Sequence, residues 1–215
     1  MKVEIWSDVV CPFCYIGKRT FEKALQQFEY KDEVIVLWHS YQLDPFVKYQ
    51  PARTIHEYLS EHKGISIGDL KRMRDEITAR AIGEGLVLNM DNVIPANSLD
   101  AHRLVHLALK HGLQNQAEER LFKAYFTDGE NIEDKQTLKR LGEEIGLNPD
   151  LLTKLLESDQ FINEVGLDFH EAQLLGVRGV PLFLFNAKYT VSGAQESNYF
   201  LKVLTKVWSE KGVNI

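Results

Sequence analysis

The chain has 215 residues, 44% of them hydrophobic, 26% charged and 10% aromatic, so collagen-like, disordered and low-complexity architectures are excluded. With 25 Lys and Arg against 31 Asp and Glu the net charge is −6, and no basic block appears, which argues against nucleic acid or an anionic membrane surface as a partner. The longest apolar stretch, Val180 to Phe185, is far short of the roughly 18 residues of a membrane span, and the length suits one domain or one domain with a large insertion.

Met1 to Trp6 reads as a strand that enters the fold directly. It shows no charged segment followed by an apolar leader, so the expected location is the cytoplasm. Ser7 and Asp8 carry turn and cap chemistry, with Asp8 expected first to cap the next helix and otherwise to tune Cys11 electrostatically. Helix signals begin after Cys11: Pro12 suits a first turn, where its missing N–H costs nothing. Phe13, Ile16, Phe21, Leu25 and Phe28 then recur as one face expected to be buried. Residues 33–38 form a β-branched run expected to be a second, largely buried strand.

From about Thr54 to Leu175 the pattern is helical. Expected helices are 55–62, 67–84, 98–111, 115–126, 135–144, 149–156 and 161–175, with breaks at Gly64, Gly85, Pro95, Gly112, Gly129 and Gly146. Leu99, Leu104, Leu107 and Leu109, with Ala101 and Ala108, mark the third of these as heavily buried. Strand character returns at Val180–Phe185, and Asn186–Lys188 turns the chain into Tyr189–Val191 as a hairpin. A last helix is expected from Ser197 to Trp208. The order is therefore β–α–β, a long helical stretch, then β–β–α. The expected division is a sheet domain of residues 1–53 plus 176–215 and a helical insertion of residues 54–175.

Cys11 and Cys14 are the two cysteines and form C-P-F-C. They cannot build a disulfide framework, and a bond between them closes too small a loop to add much stability. Zinc needs four ligands. His102 and His106 sit at i, i+4 and formally complete a set, but they lie roughly 90 residues away in a helical region, against the usual 12–15. Thiol–disulfide chemistry is the better reading. Strand, C-x-x-C and helix in that order put the Cys11 sulfur at a helix N-terminus, where unpaired N–H groups and the dipole favour a thiolate. Cys14, one turn on, is placed to attack a mixed disulfide formed by Cys11.

Four segments extend this pattern: Ser7 to Gly17 around the cysteines, Asn97 to Arg103, Gly176 to Pro181, and Ser192 to Gln195. With them the chain resembles, over essentially its whole length, thioredoxin-fold oxidoreductases of the DsbA superfamily, and more narrowly the FrnE-like branch. The resemblance implies an α/β thioredoxin fold, a four-stranded mixed sheet with a large all-helical insertion, DsbA-like. It implies protein disulfide oxidoreductase or isomerase activity, with Cys11 the nucleophile and Cys14 the resolving cysteine. Pro12 and Phe13 would contact substrate, Phe13 standing where relatives often have Trp. Pro181 would be the cis-proline facing the cysteines, with the backbone of Val180 offered to an extended substrate. His102 and Arg103 match a motif in the insertion and are accessory candidates. A His facing the thiols would stabilise the thiolate or relay a proton. The plainer expectation is an interface histidine with Arg103 as an ion-pair partner. His39 and His170 have no distinguishing context.

The expected partners are protein or peptide thiols and disulfides. No metal or organic cofactor is required, and glutathione is a candidate electron donor or ligand. A pair as oxidising as DsbA, about −120 mV, would be held reduced by a cytosolic pool near −220 to −260 mV. That gap is more than about three powers of ten at roughly 30 mV per decade, so the expected roles are reductase or isomerase. Two alternatives remain: a glutathione-dependent transferase or isomerase of the kappa or 2-hydroxychromene-2-carboxylate type, and a non-catalytic thioredoxin-fold adaptor.

Overall fold

The computed structural model describes residues 1–51 and 53–210. Residues 52 and 211–215, at the edges of the expected sheet domain, lie outside the described residues. Four strands, β1 (Lys2–Ser7), β2 (Ile35–Ser40), β3 (Leu182–Phe185) and β4 (Tyr189–Ser192), form one sheet in the order β2-β1-β3-β4. β1 runs parallel to β2 and antiparallel to β3, and β3 is antiparallel to β4. This is the mixed sheet of a thioredoxin fold. Helices α2 (Ile55–Lys63), α3 (Ile67–Gly83), α4 (Leu99–Lys110), α5 (Gln114–Phe122), α6 (Lys135–Glu144), α7 (Pro149–Leu156) and α8 (Ile162–Leu174) all lie between β2 and β3 in the chain. The sheet is completed by α1 (Pro12–Gln27) and α9 (Ser197–Ser209).

Alternation along β1 and β3 divides the core. Val3, Ile5, Phe183 and Phe185 face α1 and α9, where Phe21 and Phe200 close an aromatic cluster. Trp6, Leu182 and Leu184 point the other way, onto Ala172 of α8, and the Trp6 indole N–H donates to the Asp168 carbonyl at 3.0 Å. Period-two burial on both faces is what a central strand requires. The hairpin turns through Asn186 and Ala187, both at positive φ, as a tight two-residue turn demands.

Several local expectations shift. β2 starts at Ile35 and is less buried than expected, because it is an edge strand: Ile35 is 63% exposed and only Trp38 and Ser40 are buried. The outward backbone N–H and C=O of Trp38 are satisfied by one side chain, the Gln114 carboxamide, at 3.0 and 2.8 Å. In α4, Ala101, Leu104, Leu107 and Ala108 are buried as expected, but Leu109 falls on the solvent side of the last turn. α5 ends at Phe122 and widens into a π-turn, Lys123–Asp128, that buries Tyr125 and Phe126 side by side. β3 begins at Leu182, after the Val180–Pro181 peptide, which is cis.

The Phe200 ring lies 4.6 Å from Phe183 and 5.6 Å from Phe21, centroid to centroid, with no exposed surface. Phe200→Ala is expected to lower the unfolding free energy by about 3–5 kcal/mol, read as a lower urea midpoint at unchanged slope.

Candidate functional site

Local sequence sets the site. β1 ends at Ser7, the chain turns through Asp8, and the Cys11 N–H bonds the Asp8 carbonyl at 2.9 Å. Cys11 is then the N-cap of α1, in extended conformation, with Pro12 at the first helical position. Both cysteines are buried and carry free thiols. The Cys11 Sγ donates to the Val180 carbonyl at 3.7 Å, so the loop before β3 forms one wall of the site. Gly17 permits this approach: a Cβ there would meet Pro181 Cγ at 3.0 Å and Phe183 Cζ at 3.4 Å. Cys14 lies one turn deeper. Burial pushes its thiol well up, the neighbouring Cys11 adds to this, and the Asp8 backbone and Ser7 hydroxyl pull it partly back.

Phe13 is not part of the buried helical face. It stands 36% exposed, in the first turn of α1 next to the Cys11 N-cap. Ile16, Phe21 and Phe28 are buried as expected, and Leu25 is partly so.

Asp8 does not cap α1, since Cys11 holds that position without a side-chain bond. Its fully buried carboxylate clasps three segments instead: Oδ1 accepts from the Val10 N–H at 3.3 Å, Oδ2 from the Leu43 N–H at 2.7 Å, and His102 Nε2 of α4 lies 3.3 Å from Oδ1. His102 therefore meets the cysteines through Asp8 and not directly. Burial lowers its basicity, but the hydrogen bond and charge of Asp8, with Glu118 and Asp168 beyond, outweigh this and raise its pKa. Arg103 turns away. Its guanidinium bonds Asp100 and the carbonyls of Leu155, Ser158 and Gln160, tying α4 to the end of α7.

Other residues carry charge here without a local sequence signal. His39 bonds Asp168 Oδ1 at 2.8 Å and stacks on Trp6, while Asp168 Oδ2 takes the Ser40 N–H and His106 Nε2 at 2.7 and 3.0 Å. Burial would raise Asp168, but the hydrogen bonds from His106, His39 and Ser40 hold it well below the usual carboxylate range. His106 and His102 thus serve different carboxylates. Among the described residues, His39, Asp168 and Glu171 bring ligand-type atoms within 4.8 Å of one another. Both Asp168 oxygens are already engaged by hydrogen bonds, and Glu171 is exposed. Lys18 of α1 is buried between Glu22 and Glu119, and Glu119 also binds Arg19 and Tyr15.

The sequence pattern of the DSBA-like thioredoxin domain family matches residues 2–205. A probable DsbA oxidoreductase from Streptomyces coelicolor is 34% identical, with a TM-score of 0.91 over 98% of this chain and 91% of that one. At 17% identity the likeness is one of fold: a 2-hydroxychromene-2-carboxylate isomerase has a TM-score of 0.71 over 99% and 98% of the two chains. The cytosolic disulfide reductase DsbM of Pseudomonas aeruginosa, solved also with glutathione, has a TM-score of 0.68 over 97% and 99%. No helix among the described residues is long and apolar enough to cross a membrane.

Glu118 of α5 is fully buried with Oε2 unpartnered. Burial raises its pKa to about 7, with His102 and Lys18 offsetting only part of the shift. An unfolded Glu ionises near about pH 4.3, so above that the folded chain holds a proton the unfolded chain has lost. The Glu118 contribution is complete below this value and is lost as pH rises through 7. Glu118→Gln is therefore expected to gain stability on the parent between about pH 5 and about pH 8 in urea titrations. A difference that does not change with pH would contradict the assignment.

Proposed function

Because this chain belongs to the DSBA-like thioredoxin domain family, we propose that it is a cytoplasmic thiol–disulfide oxidoreductase working as a reductase or isomerase, with Cys11 as nucleophile and Cys14 as resolving cysteine. The observation that carries this reading is the placement of the Cys11 sulfur: at the first turn of α1, 3.7 Å from the Val180 carbonyl, with Cys14 fully enclosed behind it. The Streptomyces oxidoreductase, alike over both chains, supports the reaction class, and the cytosolic reductase of the same fold suits the location.

The Cys11 thiolate attacks one sulfur of a substrate disulfide, forming a mixed disulfide and expelling the other sulfur as a thiolate that takes a proton from water. Bonding Cys11 removes the negative charge that helps to hold Cys14 protonated. Cys14 then loses its proton and attacks the Cys11 sulfur, which releases the second substrate thiol and leaves a Cys11–Cys14 disulfide. Two electrons pass from the cysteine pair to the substrate. In isomerisation a substrate thiol, not Cys14, resolves the mixed disulfide and the pair stays reduced. Glutathione, which the fold relative binds, is the proposed reductant: two molecules return the pair to thiols and leave as one disulfide. No metal or organic cofactor enters any step.

Pro12, Phe13, Val180 and Pro181 border Cys11 and form the proposed substrate contact. The Val180 backbone pairs with an extended segment, and the exposed Phe13 ring covers its far side. His102 is a positioning residue that fixes Asp8, and through it the turn carrying Cys11. Arg103 braces α4. The sheet region, 1–53 plus 176–215, would hold the reacting groups and the insertion, 54–175, would cap them. That arrangement favours small or peptide disulfides over folded ones.

Titration of the pair in glutathione redox buffers, with alkylation and mass detection, is expected to give a two-electron couple above the cytosolic poise of about −220 to −260 mV. Failure to form a disulfide at any ratio would overturn the reading in favour of an adaptor. In turnover of a small disulfide, Cys11→Ser is expected to fall to the uncatalysed rate, whereas Cys14→Ser should accumulate the mixed disulfide at Cys11. Glutathione transfer or isomerisation that survives Cys14→Ser would instead support a glutathione-dependent enzyme.

A further inference from the structure

The two sides of Cys11 differ in chemistry. Toward Val180 the surface is more polar, edged by Arg80, Gln195 and Glu196 beside Gly193 and Ala194. Toward the insertion, Cys11, Pro12 and Phe13 form the rim of a cavity of about 300 Å³. Its walls come from far-separated segments: Val47 after β2, Leu70, Met73 and Ile77 from α3, Val93, and Phe126 from the π-turn. All but Met73 are buried.

Most polar groups in these walls are engaged, while His56, half-buried, and Lys63, exposed, also line the cavity. The Tyr125 hydroxyl donates to the Ile94 carbonyl at 3.0 Å, the Tyr58 hydroxyl to Asp44, and the Arg74 guanidinium is held by Asp75 and Asp91. A hydrophilic group seated against Leu70, Ile77, Val93 and Phe126 would lose its water without gaining partners. An apolar group would gain by leaving water. The volume lies at the low end of small-molecule sites, and the cavity is roofed by α2 and α3 instead of running along the surface as a peptide groove does.

We propose that this cavity receives the apolar half of a low-molecular-weight disulfide, making small hydrophobic disulfides the preferred substrates of the reaction proposed above, on which the inference rests. With the apolar group seated, the attached sulfur lies against Cys11 and the second half of the substrate lies on the Val180 side. The Cys11 thiolate attacks the sulfur bearing the seated group, and the thiolate on the Val180 side leaves and is protonated by water. Cys14 then attacks Cys11, freeing the apolar thiol and forming the Cys11–Cys14 disulfide. Two glutathione thiols restore the pair and are oxidised to their disulfide.

The test is kcat/KM for symmetrical n-alkyl disulfides of rising chain length, with bis(2-hydroxyethyl) disulfide, glutathione disulfide and a cystine peptide flanked by Phe as references. The expected result is a rise of about fourfold per added methylene until the cavity is full, then a fall. Met73→Trp, which narrows the cavity from a half-exposed position, should reduce the alkyl-to-glutathione-disulfide ratio at least tenfold, with folding checked by circular dichroism. Binding is followed separately on the Cys11→Ser, Cys14→Ser variant with a phenylbutyl thioether, which cannot react. Saturable binding that Met73→Trp weakens supports the cavity assignment whatever the redox outcome. Equal rates for alkyl and hydrophilic disulfides overturn the inference and leave the oxidoreductase reading intact. A gain seen only with the Phe-flanked peptide overturns it in favour of a peptide side chain. Reduction of no disulfide, with no thioether binding, overturns both.

Discussion

A carboxylate with no exposed surface, that of Asp8, ties together the segments around the two cysteines. It joins the turn that presents Cys11, the chain leaving β2 at Leu43, and α4 of the insertion through His102. A buried carboxylate is costly unless every lone pair finds a donor. Here the donors come from three segments: the cysteine turn, the chain leaving β2 and α4. The insertion thus takes part, through His102, in fixing the turn that carries Cys11.

A second carboxylate repeats the device some distance away. Asp168 of α8 takes hydrogen bonds from His39 and the Ser40 backbone on β2 and from His106 on α4. His102 and His106 are one turn apart on α4, so one helix carries a link to each anion. α4 is accordingly buried along most of its length, including both histidines and Arg103. Between these fixed points the apolar core runs without a break from the sheet into the helical region. That continuity lets residues from α3 and the π-turn reach the immediate surroundings of a cysteine on α1.

What the sequence revealed was what depends on near neighbours. The first strand, the cysteine turn and its helix, the hairpin and the proline before β3 all follow from contiguous residue types and short periods. The helical character of the insertion followed in the same way, while the thioredoxin architecture rested on the order of these elements together with the family resemblance. Signals that need a distant partner were invisible. Asp8 looks like a cap because Asp before a helix usually is one; the amide of Leu43 and the ring of His102 lie 35 and 94 positions away. His39 had no local context because its partner is 129 residues on, and Arg103 belongs to carbonyls more than 50 residues further along. Phe13 satisfies the helical period yet faces outward, since the first turn of α1 overhangs the core. Glu118 and Lys18 give no sign in the sequence that they are buried.

The treatment of β2 has a consequence for association between chains. An edge strand offers a row of free amides and carbonyls to any passing strand. On β2 the outward groups of Trp38 are occupied by the Gln114 carboxamide and the Ser40 amide by Asp168, so side chains from the inserted helices stand where another strand would pair. The insertion is thus a guard on the sheet margin as well as a roof over the cysteines. Shortening it would uncover the Trp38 and Ser40 backbone groups for pairing with another strand, at the margin opposite the four-residue β4.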